Sequence, residues 1–230
     1  MVILNSKKFS QMWLLPFLAI SLLKAQVKFS LGLGPQLATN VASFDGIRVS
    51  ESGFGLFGGG MVTYPLTDKV VFGGEVLLSY ARHTDETRTE SMYFRNGRFY
   101  DEYITEKYIL NTTFLKLPLT VRYSVDLQNM KLEVGAGLQP FFWLTSTSKV
   151  KETREVPELD IKETESRTEN NFSGSTSKNR VGVAAVLMAG ASFSKLGIYL
   201  RYDPMLTSLS QLGRYVQNTA GLMIAYHLTE

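Results

Sequence analysis

Five ionisable side chains hold most of the chemistry this sequence offers: Glu75, Lys116, Arg122, Glu133 and Arg201. Two carboxylates beside an arginine could do acid–base work, because neighbouring charges drive their pKa values apart. The same set also suits a structural ion network, in which each buried charge has a partner of opposite sign. The surroundings favour the network. Gly, Ser and Thr flank these residues on one face of the strands described below, and no Ser/His/acid set accompanies them. The five are therefore expected to be structural groups inside a barrel lumen.

Other chemistry is sparse. His83 falls at a loop edge and His227 near the opposite rim, so they cannot share a metal or a triad, and each is expected to be an ordinary polar histidine. The chain has no Cys, which removes thiol catalysis, thiolate metal sites, disulfides and a lipidated Cys anchor. Gly55–Gly60 (GLFGGG) has the glycine density of a phosphate loop but lacks the Lys-Ser/Thr pair and a following helix, so curvature or close packing explains it better. Asn111-Thr-Thr and Asn171-Phe-Ser are formal glycosylation sequons and are given little weight. No catalytic residue, metal site or cofactor is expected, and the chain is expected not to be an enzyme.

A period of two positions the five charges. Phe29, Leu31 and Leu33 alternate with Lys28, Ser30, Gly32 and Gly34; Leu119, Val121 and Tyr123 alternate with Thr120, Arg122 and Ser124. Such dyads are strand signals. Eight strands are predicted, at about 27–39, 53–64, 69–82, 108–125, 130–144, 180–193, 196–203 and 215–228. Short turns at Pro65–Asp68, Asp126–Asn129 and Ser194–Lys195 alternate with long polar links at about 40–52, 83–107, 145–179 and 204–214. Short turns on one rim and long loops on the other predict an all-β, eight-stranded, antiparallel up-and-down transmembrane β-barrel with short periplasmic turns and long extracellular loops.

The turns imply a register. Val125 is expected opposite Met130, which sets Arg122 against Glu133 and Lys116 against Gln139. Tyr64 is expected opposite Val70, and Phe193 opposite Leu196. Tyr64, Tyr123 and Tyr226 would form one aromatic girdle and Tyr80, Trp143 and Tyr202 the other. The link at 145–179 (KVKETREVPELDIKETESRTEN and its flanks) reads as a flexible charged surface loop. The 83–107 link carries Tyr93, Phe94, Phe99, Tyr100 and Tyr103 among charges, read either as strand extensions or as a binding patch.

The 230 residues are 44% hydrophobic, 12% aromatic and 20% charged, which excludes a disordered chain. Residues 1–25 read as a secretory signal peptide, with basic Lys7 and Lys8, an apolar run from Met12 to Leu23 and cleavage expected after Ala25. Twelve helical residues rise about 18 Å, too short for a hydrocarbon core of about 30 Å. Without Lys7, Lys8 and Lys24, the 24 basic residues fall to 21, against 21 acidic, so residues 26–230 are neutral and show no nucleic-acid footprint. Those residues are the expected barrel domain.

The end Ala25-Gln26, with VKFSLGLGPQ (27–36), YPLTDKVVFGGEVLLSY (64–80), TTFLKLPLTVRYSV (112–125) and NTAGLMIAYHL (218–228), resembles the PorT-like outer-membrane β-barrel domain family of Bacteroidota-type bacteria. The resemblance covers essentially all of 26–230. It implies an outer-membrane barrel with periplasmic termini, and a role accessory to protein secretion. The expected partners are outer-membrane lipid and a protein at the extracellular loops. Competing readings are a secreted soluble β-barrel holding a small apolar ligand, a lipid-modifying outer-membrane enzyme and a passive channel.

Overall fold

Adjacent side chains on a strand point to opposite faces, so a strand with one apolar face needs an environment that accepts it. The computed structural model describes residues 27–44, 47–170, 179–210 and 214–228. The signal segment, Asn171 and the terminal Thr229-Glu230 lie outside these residues. Among the described residues ten strands form: β1 (Lys28–Phe44), β2 (Ile47–Pro65), β3 (Val70–Arg95), β4 (Arg98–Lys116), β5 (Leu119–Leu127), β6 (Met130–Val156), β7 (Ile161–Asn170), β8 (Val181–Phe193), β9 (Leu196–Asp203) and β10 (Arg214–His227). A 3-10 turn, Pro157–Leu159, joins β6 to β7.

Eight of these positions make a closed wall. β1 pairs with β2 and β10, and the ring runs on through β9, β8, β6, the β4/β5 strand and β3 back to β2, with every pair antiparallel. β4 and β5 are halves of one predicted strand, broken at Leu117-Pro118 because proline brings no N–H to the ladder. Neighbours bridge the gap: the Glu75 N–H donates to the Pro118 carbonyl at 2.9 Å, and the Leu117 N–H to the Pro140 carbonyl at 2.9 Å. Closure leaves no edge to meet lipid.

The faces are as the alternation predicts. Leu33 is 68% exposed and Leu200 66%, with Leu31, Val76, Leu119, Val134 and Ile224 also on the outer surface, while Glu75, Lys116, Arg122 and Arg201 are buried inside. This overturns the soluble reading, which requires apolar residues inward and charges outward. No helix among the described residues is long and apolar enough to cross a membrane, which says nothing of a β-barrel.

Two predicted registers are corrected by two residues. Tyr123 pairs with Val134 rather than Leu132, Arg122 with Gly135 and Lys116 with Phe141. Tyr64 pairs with Phe72 rather than Val70. A slip of two preserves every face, whereas a slip of one would invert them. The predicted pairing of Phe193 with Leu196 is the one observed.

Of the long links, 83–107 takes the strand extensions that the sequence offered, whereas 145–179 departs further from expectation. β3 and β4 stay paired to Arg95 and Arg98, and β6 and β7 pair from Thr147–Asn170 to Val156–Ile161. Beyond the wall, the outer parts of β3, β4, β6 and β7 therefore form a four-stranded sheet. The expected flexible loop at 145–179 is a strand hairpin through Asn170, because ladder hydrogen bonds need no apolar face when both faces meet water. The 204–210 segment also differs from a splayed polar loop. It turns into the barrel mouth, burying Met205 and Leu209, and Met205 bridges to Ala184.

Trp143 is a further correction. It is 4% exposed and points inward, stacked on Phe114 with ring centroids 5.7 Å apart. Its parity matches inward Gln139 and Phe141, so its height in the wall alone did not make it a girdle residue. Tyr80, Tyr123, Tyr202 and Tyr226 do face outward.

Candidate functional site

The inward charges sort into one chain of alternating sign. Glu75 comes from β3, Lys116 from β4, Arg122 from β5, Glu133 from β6, and Arg201 with Asp203 from β9. Arg122 donates to Glu75 at 2.9 Å and lies 3.6 Å from Glu133. Glu75 accepts on its other oxygen from Arg201 at 2.5 Å. Arg201 reaches Asp203 at 2.7 Å, and Asp203 pairs with Lys116 at 3.2 Å. The order Glu133–Arg122–Glu75–Arg201–Asp203–Lys116 is neutral overall, as burial in a low-dielectric space demands.

Neutral groups complete it. Gln139 accepts from Arg201 at 2.6 Å, and Thr219 accepts from Lys116 at 3.0 Å. Glycine makes room for Arg122. A Cβ at Gly135, its cross-strand partner, would stand 2.9 Å from the Arg122 Cγ, and one at Gly73 would stand 3.0 Å from its guanidinium.

The five predicted residues thus meet in one network, though by different pairs than expected: Arg122 opposes Gly135 on the ladder and reaches Glu133 diagonally. Asp203 was missed. Two signals pointed to it: it shares the parity of Arg201, and the other five carry three cations against two acids.

Apolar clusters bracket the ion chain. Toward the short turns lie Phe57, Met61, Leu77, Met188, Tyr199, Met223 and Ala225. Toward the long links lie Phe114, Phe141, Trp143, Ala184, Met205, Leu209 and Val216. Beside Lys116 and Asp203 the lumen retains a void of about 10 Å³, space for a single water. A vestibule of about 560 Å³ opens at the short-turn end, lined by Arg122, Lys131, Glu133, Tyr199 and His227 among others.

The histidines are far apart in role. His227 pairs through Nδ1 with the Ser30 hydroxyl at 2.7 Å. His83 is fully buried rather than at a loop edge, with Nε2 2.9 Å from the Gln217 amide. No group of three His, Cys, Asp or Glu residues that could hold a metal occurs among the described residues.

Outside the wall, the sheet is tied by ion pairs. Lys107 meets Glu86 at 3.1 Å, Arg154 meets Glu102 at 3.0 Å, and Lys162 pairs with Glu155. The Lys162 ammonium holds the Glu155 carboxyl below the usual carboxylate range.

A lipid-facing closed wall and a charged lumen fit one setting. The sequence model of the outer membrane protein β-barrel domain matches residues 21–211. The chain belongs to this family. Its place is the outer membrane. No curated protein matches the chain. Among solved structures, the attachment invasion locus protein Ail of Yersinia pestis is 13% identical, covering 88% of this chain and 99% of its own, with a TM-score of 0.35. Neisserial surface protein A (NspA) is 12% identical, covering 86% and 96%, with a TM-score of 0.38. The outer membrane protease OmpT of Escherichia coli is 9% identical, covering 88% and 96%, with a TM-score of 0.31.

Proposed function

We propose that this outer-membrane barrel is a non-enzymatic scaffold that presents its β3–β4–β6–β7 sheet to a partner at the cell surface. One observation carries the reading: the lumen is filled, while the most elaborate part of the molecule stands outside the lipid-facing wall. A filled lumen suits anchoring better than passage. The ion chain acts as a brace, because six paired charges on four of the eight wall strands fix the strands against one another. Residues 1–25 act as the export signal for residues 26–230. The PorT resemblance makes a secretion accessory the sharper form, with the sheet meeting another component of the export machinery.

The test replaces residues 85–106 with a short Asn-Gly turn. The barrel should keep its heat-modifiable mobility on gels and lose surface crosslinks to its partner. Unchanged crosslinks would overturn the reading.

A further inference from the structure

The exposed part of the β3–β4 hairpin divides sharply by composition. From Thr84 to Ser91 every residue is polar or charged. The next nine residues, MYFRNGRFY (92–100), hold four aromatics, a methionine and two arginines. Phe94 and Phe99 pair directly across the hairpin, with ring centroids 5.0 Å apart, yet are 60% and 69% exposed. Met92 shares their face and is 72% exposed. Tyr93 pairs with Tyr100, and Arg95 with Arg98, on the opposite face.

Two features make this an odd tip for water alone. Like charges directly opposite are destabilising, and neither Arg95 nor Arg98 has an ion-pair partner among the described residues. Large apolar side chains crowd the point farthest from any core able to bury them. The tip is also preorganised: Asn96 and Gly97 both adopt positive φ, 51° and 77°, the two-residue turn that suits strand twist. From His83 to Arg95 the strand has a contour of roughly 40 Å at about 3.3 Å per residue, so the tip reaches well beyond the wall.

Resting on the surface-sheet reading above, we propose that this tip docks on a bilayer bearing anionic phospholipid. Phe94, Phe99 and Met92 enter the acyl boundary, Tyr93 and Tyr100 lie at headgroup level, and Arg95 and Arg98 meet phosphates. Charge complementarity selects anionic lipid, and apolar groups on a narrow projecting tip suit a fluid layer better than a rigid pocket. Glu90 and Asp101 pair with Tyr103 and Met92 just behind the tip, and their charge limits entry to the last few residues.

The test uses the full barrel in phosphatidylcholine nanodiscs, floated with vesicles of phosphatidylcholine alone or mixed with phosphatidylglycerol. The unaltered protein should float with the mixed vesicles. The Arg95→Gln/Arg98→Gln double variant should bind them roughly twenty-five-fold less, at about fivefold per arginine. Phe94→Ser/Phe99→Ser should lose about tenfold or more. Heat-modifiable mobility confirms that each variant is folded. A Phe99→Trp variant, which keeps the apolar tip, should show blue-shifted emission on adding mixed vesicles. Absence of flotation and of a blue shift overturns the proposal. Loss in the arginine variant alone also overturns it, because charge would then hold the tip on lipid without entry of the phenylalanines. Loss in the phenylalanine variant alone overturns it as well, because the arginines would then play no part in selecting anionic lipid. An epitope inserted beside Gly97 and probed on intact cells separates the two readings: an inaccessible epitope defeats the surface reading, whereas an accessible one without flotation defeats only the lipid proposal.

Discussion

Arg201 and Asp203 stand two residues apart on β9, and the Arg201 Nε donates to the Asp203 Oδ1 at 2.7 Å. The same carboxylate holds Lys116 from the far side of the lumen at 3.2 Å. Asp203 is thus the acid on which the outer half of the ion chain depends. Asp203→Ala leaves Lys116 as a buried cation with only Thr219 to solvate it, and should destabilise the barrel by about 3–5 kcal/mol. The paired change Lys116→Met with Asp203→Leu leaves Glu133, Arg122, Glu75 and Arg201 neutral among themselves. It should recover most of that loss. Urea unfolding in liposomes measures both.

Leu119 and Thr120 are neighbours with opposite surroundings, 51% and 1% exposed. Leu119→Arg puts a charge into acyl chains and should cost about 2–4 kcal/mol at the bilayer midplane. Leu119→Ala should cost far less. Insertion yield into vesicles reads the difference.

The buried 204–210 segment gives a third outcome. Met205→Ser with Leu209→Ser removes its apolar hold on Phe141 and Trp143 and should expose residues 204–210 to protease. Conductance in planar bilayers should stay negligible, because the ion chain below still fills the lumen. A large stable conductance in the unaltered protein would contradict the filled-lumen account.

At the hairpin tip, Gly97 has a φ of 77°. Gly97→Val should cost about 1–2 kcal/mol there, since a side chain resists the left-handed region. Amide exchange should rise across 90–103 and stay unchanged in the wall.

The wall strands and their faces were legible because lipid and lumen impose a strict period of two. The register was less so at Asp126–Asn129 and Pro65–Asp68, because alternation is blind to a slip of two and only turn geometry fixes it. The β6–β7 part of the outer sheet was hidden for a related reason. In 145–170 both faces are polar, so no hydrophobic period marks the strands, although Asn96-Gly97 was a hairpin signal in the sequence. Trp143 was misplaced when height was weighed without parity, and Asp203 was overlooked at a strand end although charge balance required it.

The chain has no cysteine, so single cysteines can be spin-labelled without background. Leu119→Cys, Val121→Cys and Tyr123→Cys, compared with Thr120→Cys and Ser124→Cys, test which face meets lipid through collision with dissolved oxygen, which concentrates in the acyl layer. The barrel described here predicts high oxygen accessibility at 119, 121 and 123 and low accessibility at 120 and 124. The reverse alternation, or none, would contradict it.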